Sequence, residues 1–128
     1  MQNFAARVVT QTGRREHITP VLYELHWLPV RSRITYKVLL LTYKALHGLA
    51  PAYIGEMVTP YQPARPLRSA NKALLADPNT KLKTWGDRTF QHAAAVEWKA
   101  LPETLRKAPS LTVFKKNLKT HLFCIAFA

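Results

Sequence analysis

Catalysis by carboxylates needs them in pairs or clusters, and the seven acidic residues of this chain are spread out. No two aspartates are adjacent, so two-metal phosphoryl chemistry has no obvious ligand set. Asp77 lies in Asp77-Pro78-Asn79, a good turn sequence, and Asp87 follows Gly86, where an aspartate caps a helix. His17, His26, His47, His92 and His121 are scattered, without the spacing of a two-histidine helical zinc motif. The four glycines form no phosphate-cradling loop, and no Gly-x-Ser-x-Gly elbow is present. Cys124 is the single cysteine. It excludes an intramolecular disulfide and a cysteine-based zinc site. Flanked by Phe123 and Ile125, it reads as a small buried hydrophobe. The residues point to no catalytic group, no metal site, no cofactor and no small-molecule substrate.

The chemistry that remains is cationic. Nineteen Lys and Arg stand against seven Asp and Glu, for a net charge of +12. Residues 1–64 carry seven basic and three acidic groups, net +4, and residues 65–128 carry twelve and four, net +8. Such an excess favours polyanions, nucleic acid first. In the basic second half, Arg65, Arg68 and Lys72 follow a proline-rich stretch, Lys81, Lys83 and Arg88 surround Trp85, and Lys115, Lys116 and Lys119 accompany Phe123. Cations neutralise phosphates and aromatic faces stack on unpaired bases. These nine residues are the candidate RNA- or DNA-binding set. Trp85 and Trp98 themselves read first as core.

The elements that must position these residues are mainly helices. Asn3 caps a helix to Gln11, broken by Thr12-Gly13-Arg14-Arg15. Thr19-Pro20 opens another through Trp27. The strongest pattern spans Arg31 to His47 and closes at Gly48. Ile34, Val38, Leu41 and Ala45 form one apolar row there, and Tyr36, Leu39, Tyr43 and Leu46 widen it. Only Arg33, Lys37 and Lys44 make a polar stripe, so the helix is expected to be covered on several sides. Pro51 starts a short helix, and Pro60, Pro63 and Pro66 then enforce an extended path. Residues 72–76 and 80–85 suit a short β-hairpin. Asp87 opens a helix through Trp98 and Leu101, Pro102 starts one further turn, and Ser110 caps the last helix. The final apolar row is Leu111, Phe114, Leu118, Leu122 and Ile125, with Phe123 and Phe127 outside it.

The expected fold is a small, mainly α domain of about six helices with a hairpin near residues 72–85. It forms one region over 1–128: a helical half (1–58), a proline-rich connector (59–70), and the hairpin with the C-terminal helices (71–128). No apolar run approaches the thickness of a bilayer, and one cysteine suits a reducing compartment. The expectation is an intracellular protein, nuclear or cytoplasmic alike, with no membrane partner.

Several stretches carry a resemblance. They include His17-Ile18-Thr19-Pro20-Val21-Leu22, Glu24-Leu25-His26-Trp27-Leu28-Pro29-Val30, and Leu40 through Tyr53. Pro66-Leu67-Arg68-Ser69, Leu82-Lys83-Thr84-Trp85-Gly86-Asp87-Arg88, Leu101-Pro102, Leu105-Arg106 and Ser110 through Lys115 follow in order. Together they resemble the C-terminal segment of LINE-type (non-LTR, jockey-like) retrotransposon reverse transcriptases. The resemblance implies a parent RNA-directed DNA polymerase working by target-primed reverse transcription, with this segment after the fingers, palm and thumb. Its implied partners are RNA or DNA and the upstream polymerase domain. No catalytic role carries over, because the family's adjacent aspartates have no counterpart here, nor do its endonuclease motifs. The Cys/His zinc knuckle of some relatives is likewise ruled out by the single cysteine. The chain therefore reads as a non-catalytic C-terminal region that holds RNA or DNA by backbone contacts and packs on the polymerase. The alternative is a helical protein-docking module, or a retrotransposon-derived fragment with no independent function. On either reading, purified protein given a primed RNA template, Mg2+ and deoxynucleotides is expected to extend no primer. Template-dependent incorporation that survives repurification would contradict this.

Overall fold

The computed structural model describes residues 1–79, 81 and 83–128, Lys83 by its backbone alone. Along these residues run α1 (Gln2–Thr10), α2 (Ile18–Glu24), α3 (Val30–Leu46), α4 (Ala52–Gly55), a 3-10 turn (Ala70–Lys72), α5 (Lys83–Gly86), α6 (Phe90–Ala100), α7 (Glu103–Arg106) and α8 (Leu111–Ala126). The chain is mainly helical, as expected. It has eight α-helices among the described residues, the excess over expectation lying in four-residue turns such as α5 and α7.

Local chemistry explains several helix ends. Ser110 caps α8, its hydroxyl accepting from the Val113 N–H at 3.3 Å. Gly48, at φ 66°, closes α3: the Leu49 N–H donates to Lys44 O and the Gly48 N–H to Ala45 O. The same pattern ends α2 without glycine. Trp27 N–H donates to Leu22 O, His26 N–H donates to Tyr23 O, and His26 sits at φ 53°. That places the end of α2 at Glu24 rather than near Trp27. Two expected caps also move. Thr89, not Asp87, caps α6, accepting from His92 N–H, and α2 starts at Ile18 after His17, with Thr19 and Pro20 inside its first turn.

The hairpin expected over 72–85 is replaced by a different pairing. Residues 74–76 run antiparallel to the proline-rich segment, with Pro60 opposite Leu75. Tyr61 N–H donates to Leu74 O and Ala76 N–H donates to Thr59 O, each at 2.9 Å. Pro60 occupies the position that donates nothing across the pair, so its missing N–H is harmless there. On the other side of the turn, residues 83–86 are helical, and residues 80 and 82 lie outside the described residues.

The core joins both halves of the chain. Leu39 and Tyr43 from α3 meet Trp98 from α6 and Phe114, Leu118 and Leu122 from α8, with Leu28, Leu101, Leu105 and Ala108 around them. Tyr43 stacks on Phe114 with ring centroids 4.3 Å apart, and Trp98 lies 6.0 Å from the same ring. A smaller cluster of Ala6, Val21 and Leu22 joins α1 to α2 and reaches Phe127. The face of α3 turned inward is therefore Leu39–Tyr43, not the row Ile34, Val38, Leu41 and Ala45, of which Ile34 is 60% exposed.

Three polar groups inside this core find backbone carbonyls. The Tyr43 hydroxyl donates to Ala108 O at 3.0 Å, and Trp98 Nε1 donates to Ala73 O at 2.7 Å. Arg106, only 9% exposed, donates from Nε to Lys72 O (2.9 Å) and from Nη1 to Leu101 O (2.7 Å) and Lys99 O (3.2 Å). One guanidinium thus clamps the 3-10 turn to the end of α6. Replacing it with methionine orphans these carbonyls and is expected to cost roughly 3 kcal/mol, since hydrogen bonds to charged groups contribute more than neutral ones. Thermal melting followed by circular dichroism should show Arg106→Met unfolding about 10 °C below the parent. Coincident melting curves would show that the clamp carries no stability.

Candidate nucleic-acid interface

Arg65, Arg68, Lys72, Lys81, Arg88, Lys115, Lys116 and Lys119 are all exposed, while the side chain of Lys83 lies outside the described residues. They fall on three separate elements. Arg65, Arg68 and Lys72 occupy the segment held down by Arg106 and Trp98. Lys81 and Arg88 flank α5, whose Trp85 is 72% exposed while Trp98 is core. The two tryptophans, which read alike in sequence, therefore have opposite surroundings. Lys115, Lys116 and Lys119 ride on α8 beside its buried row Phe114, Leu118 and Leu122.

Little of this charge is neutralised within the molecule. Among the described residues, Lys107 is the one lysine or arginine in an ion pair, with Glu103 at 2.5 Å. That pair holds the Glu103 carboxyl below its usual range, the hydrogen bond from Lys107 being the main cause. His92 faces Asp87 at 3.8 Å.

The packing of α3 on α8 creates a grouping absent from the expected set. A cleft of about 370 Å³ is lined by Leu28, Arg33, Tyr36, Lys37 and Lys119. Arg33 and Lys37 lie one helical turn apart on α3, and Lys119 faces them from α8. Leu28 is buried and Tyr36 half-buried against the core, so the cleft combines an apolar floor with cationic walls. Desolvation by burial raises the Tyr36 pKa above its ordinary value. Of the eight expected residues whose side chains are described, only Lys119 lines this cleft. Arg33 and Lys37 were visible as the polar stripe of α3, but nothing in the sequence says which helix that stripe would face.

Other expectations shift as well. Cys124 is exposed rather than buried, and Ile125 is 61% exposed, while Leu122 and Phe123 on the same stretch of α8, and Phe127 just after it, face the protein. Phe123 and Phe127 do not stand free: Tyr23 approaches their rings at 5.4 and 5.5 Å, and His26 stacks on Phe123 at 5.5 Å. The open apolar surface lies elsewhere. Helix α1 turns Ala6 inward and leaves Phe4, Val8 and Val9 exposed, and Val30 and Ile34 of α3 are exposed too.

Among the described residues, no group of three or more His, Cys, Asp or Glu is placed to hold a metal ion. No helix among them is long and apolar enough to cross a membrane. No family model, no curated protein and no solved structure matches the chain. What the arrangement can do chemically is attract and hold anions, phosphates above all, with aromatic faces beside them.

Proposed function

We propose that this chain is the non-catalytic C-terminal region of a LINE-type reverse transcriptase, holding RNA or DNA through the phosphate backbone. The observation that supports it best is the unneutralised charge: a net +12 with Lys107 as the one ion-paired lysine or arginine among the described residues. Exposed cations without carboxylate partners are free to release counterions from a polyanion, the main source of sequence-independent affinity. The family assignment is carried by the resemblance of the sequence stretches above.

A second part of the reading concerns packing on the polymerase. Its support is the inverted helix α1, which buries Ala6 and exposes Phe4, Val8 and Val9. A helix with apolar residues outward has a face that a neighbour would cover.

Binding to a labelled single strand, measured at several salt concentrations, tests the first part. With about four to six phosphates neutralised, log affinity is expected to fall with log salt at a slope of about −3 to −4. Neutralising Lys115, Lys116 and Lys119 together should flatten that slope by about two, at roughly 0.7 for each phosphate left without its cation. Helicity should survive, because all three flank the buried row of α8. Equal slopes for parent and variant would remove α8 from the surface, and no binding even at about 50 mM salt would end the nucleic-acid reading.

A further inference from the structure

We propose that the cleft between α3 and α8 receives one unpaired nucleotide of a single strand. Arg33, Lys37 and Lys119 hold its phosphates, and Leu28 and Tyr36 offer the surface on which its base lies. The inference rests on the nucleic-acid reading above and extends it from backbone contact to engagement of a base.

Three observations carry it. First, the charges converge without an internal reason. Arg33 and Lys37 share a helix face at a spacing where like charges repel, and Lys119 adds a third from the facing helix. No carboxylate among the described residues lines the cleft, so the fold brings the cations together without a counterion there. An anion from outside is the partner that would relieve the repulsion.

Second, the floor is wrong for a bare phosphate. Leu28 is buried, and Tyr36 packs partly on the core cluster. A phenol is uncharged at neutral pH, and burial pushes that of Tyr36 further up, so it does not compete with the anion for the cations. A ligand with a charged edge and a flat, weakly polar face matches such walls and floor better than inorganic phosphate does. A nucleotide has that shape, and bases stack on aromatic faces with little regard for sequence.

Third, the size selects. At about 370 Å³ the cleft lies near the lower end of small-ligand sites, which run from about 300 to 1,000 Å³. That admits one nucleotide. A duplex keeps its bases paired and stacked inside, and its regular backbone cannot lower a base onto a floor recessed between two helices.

The experiment compares three ligands of equal length by fluorescence anisotropy at one salt concentration: an oligothymidylate, the same backbone without bases, and a duplex. The full chain is expected to bind the oligothymidylate roughly tenfold more tightly than the abasic strand, the worth of one stacked base. The double variant Arg33→Gln, Lys37→Gln should lose roughly tenfold or more on the oligothymidylate and most of the preference for bases. A control with Lys115→Gln and Lys116→Gln removes the same charge elsewhere on α8. It should weaken all three ligands and keep the preference for bases. Circular dichroism on both variants separates binding from folding. Equal binding of abasic and base-bearing strands by the parent protein, with normal salt dependence, would overturn the cleft inference and leave the nucleic-acid reading standing. So would an equal fall in affinity for the two double variants. Absence of binding to every strand would overturn both, and tighter binding to phosphatidylserine vesicles than to the oligothymidylate, abolished in the Arg33/Lys37 variant, would reassign the cleft to a lipid surface.

Discussion

Tyr43, Trp98 and Arg106 are each largely enclosed, and each carries a hydrogen-bond donor into or against the core. A buried donor without a partner costs more than the bond itself is worth in water. All three therefore require carbonyls, and most of these lie at turns and helix ends: Ala108 between α7 and α8, Lys72 and Ala73 at the end of the 3-10 turn, and Lys99 and Leu101 at the end of α6. Satisfying these donors pulls irregular segments onto the helical core. Without it, residues 66–76 would have little to pin them, since their own backbone bonds are few. The stacking of Tyr43 on Phe114 then sets how α3 lies along α8.

The cationic cleft follows from that docking. With Tyr43 turned inward, the residues two to three turns earlier on the helix take fixed positions. Tyr36 lies at the margin of the core, and Arg33 and Lys37 stand beside it, opposite Lys119. Core geometry and the cationic cleft are coupled through one helix, so a substitution that rotated α3 would disperse the cations as well. The cleft also joins residues of the mildly basic half to one of the strongly basic half. Dividing net charge by sequence position conceals this, because α3 and α8 are about eighty residues apart in sequence and adjacent in space.

How much was legible in the sequence depends on how local the deciding interaction is. Ser110, Gly48 and Pro51 act within one turn, and the helices they bound lie close to where pattern and capping place them. The end of α2 was not legible, because His26 takes the left-handed position that usually marks itself with glycine. The inward face of α3 was not legible for a different reason. A helix apolar on most sides has no preferred azimuth, and the choice falls to the Tyr43 hydroxyl and its distant carbonyl at Ala108. Residues 74–76 look like half of a local hairpin, yet they pair with residues 59–61 across the 3-10 turn. At the candidate interface, the residue types were legible and their grouping was not. Exposure of the eight described candidates follows from their charge alone, whereas the pairing of Lys119 with Arg33 and Lys37 needs the fold.

The outward apolar residues of α1 and of the start of α3 give the domain two kinds of unsatisfied surface, one cationic and one apolar. If the proposed reading holds, the docking of α3 on α8 builds the place where nucleic acid binds. Backbone-amide spectra of isotopically labelled protein, recorded as an oligothymidylate is titrated in, address it residue by residue. The account predicts that the largest shifts cluster at Arg33, Tyr36, Lys37 and Lys119, while the indole N–H of Trp98 stays fixed. Shifts confined to residues 65–72 and 85–88, with α3 and α8 unmoved, would contradict it.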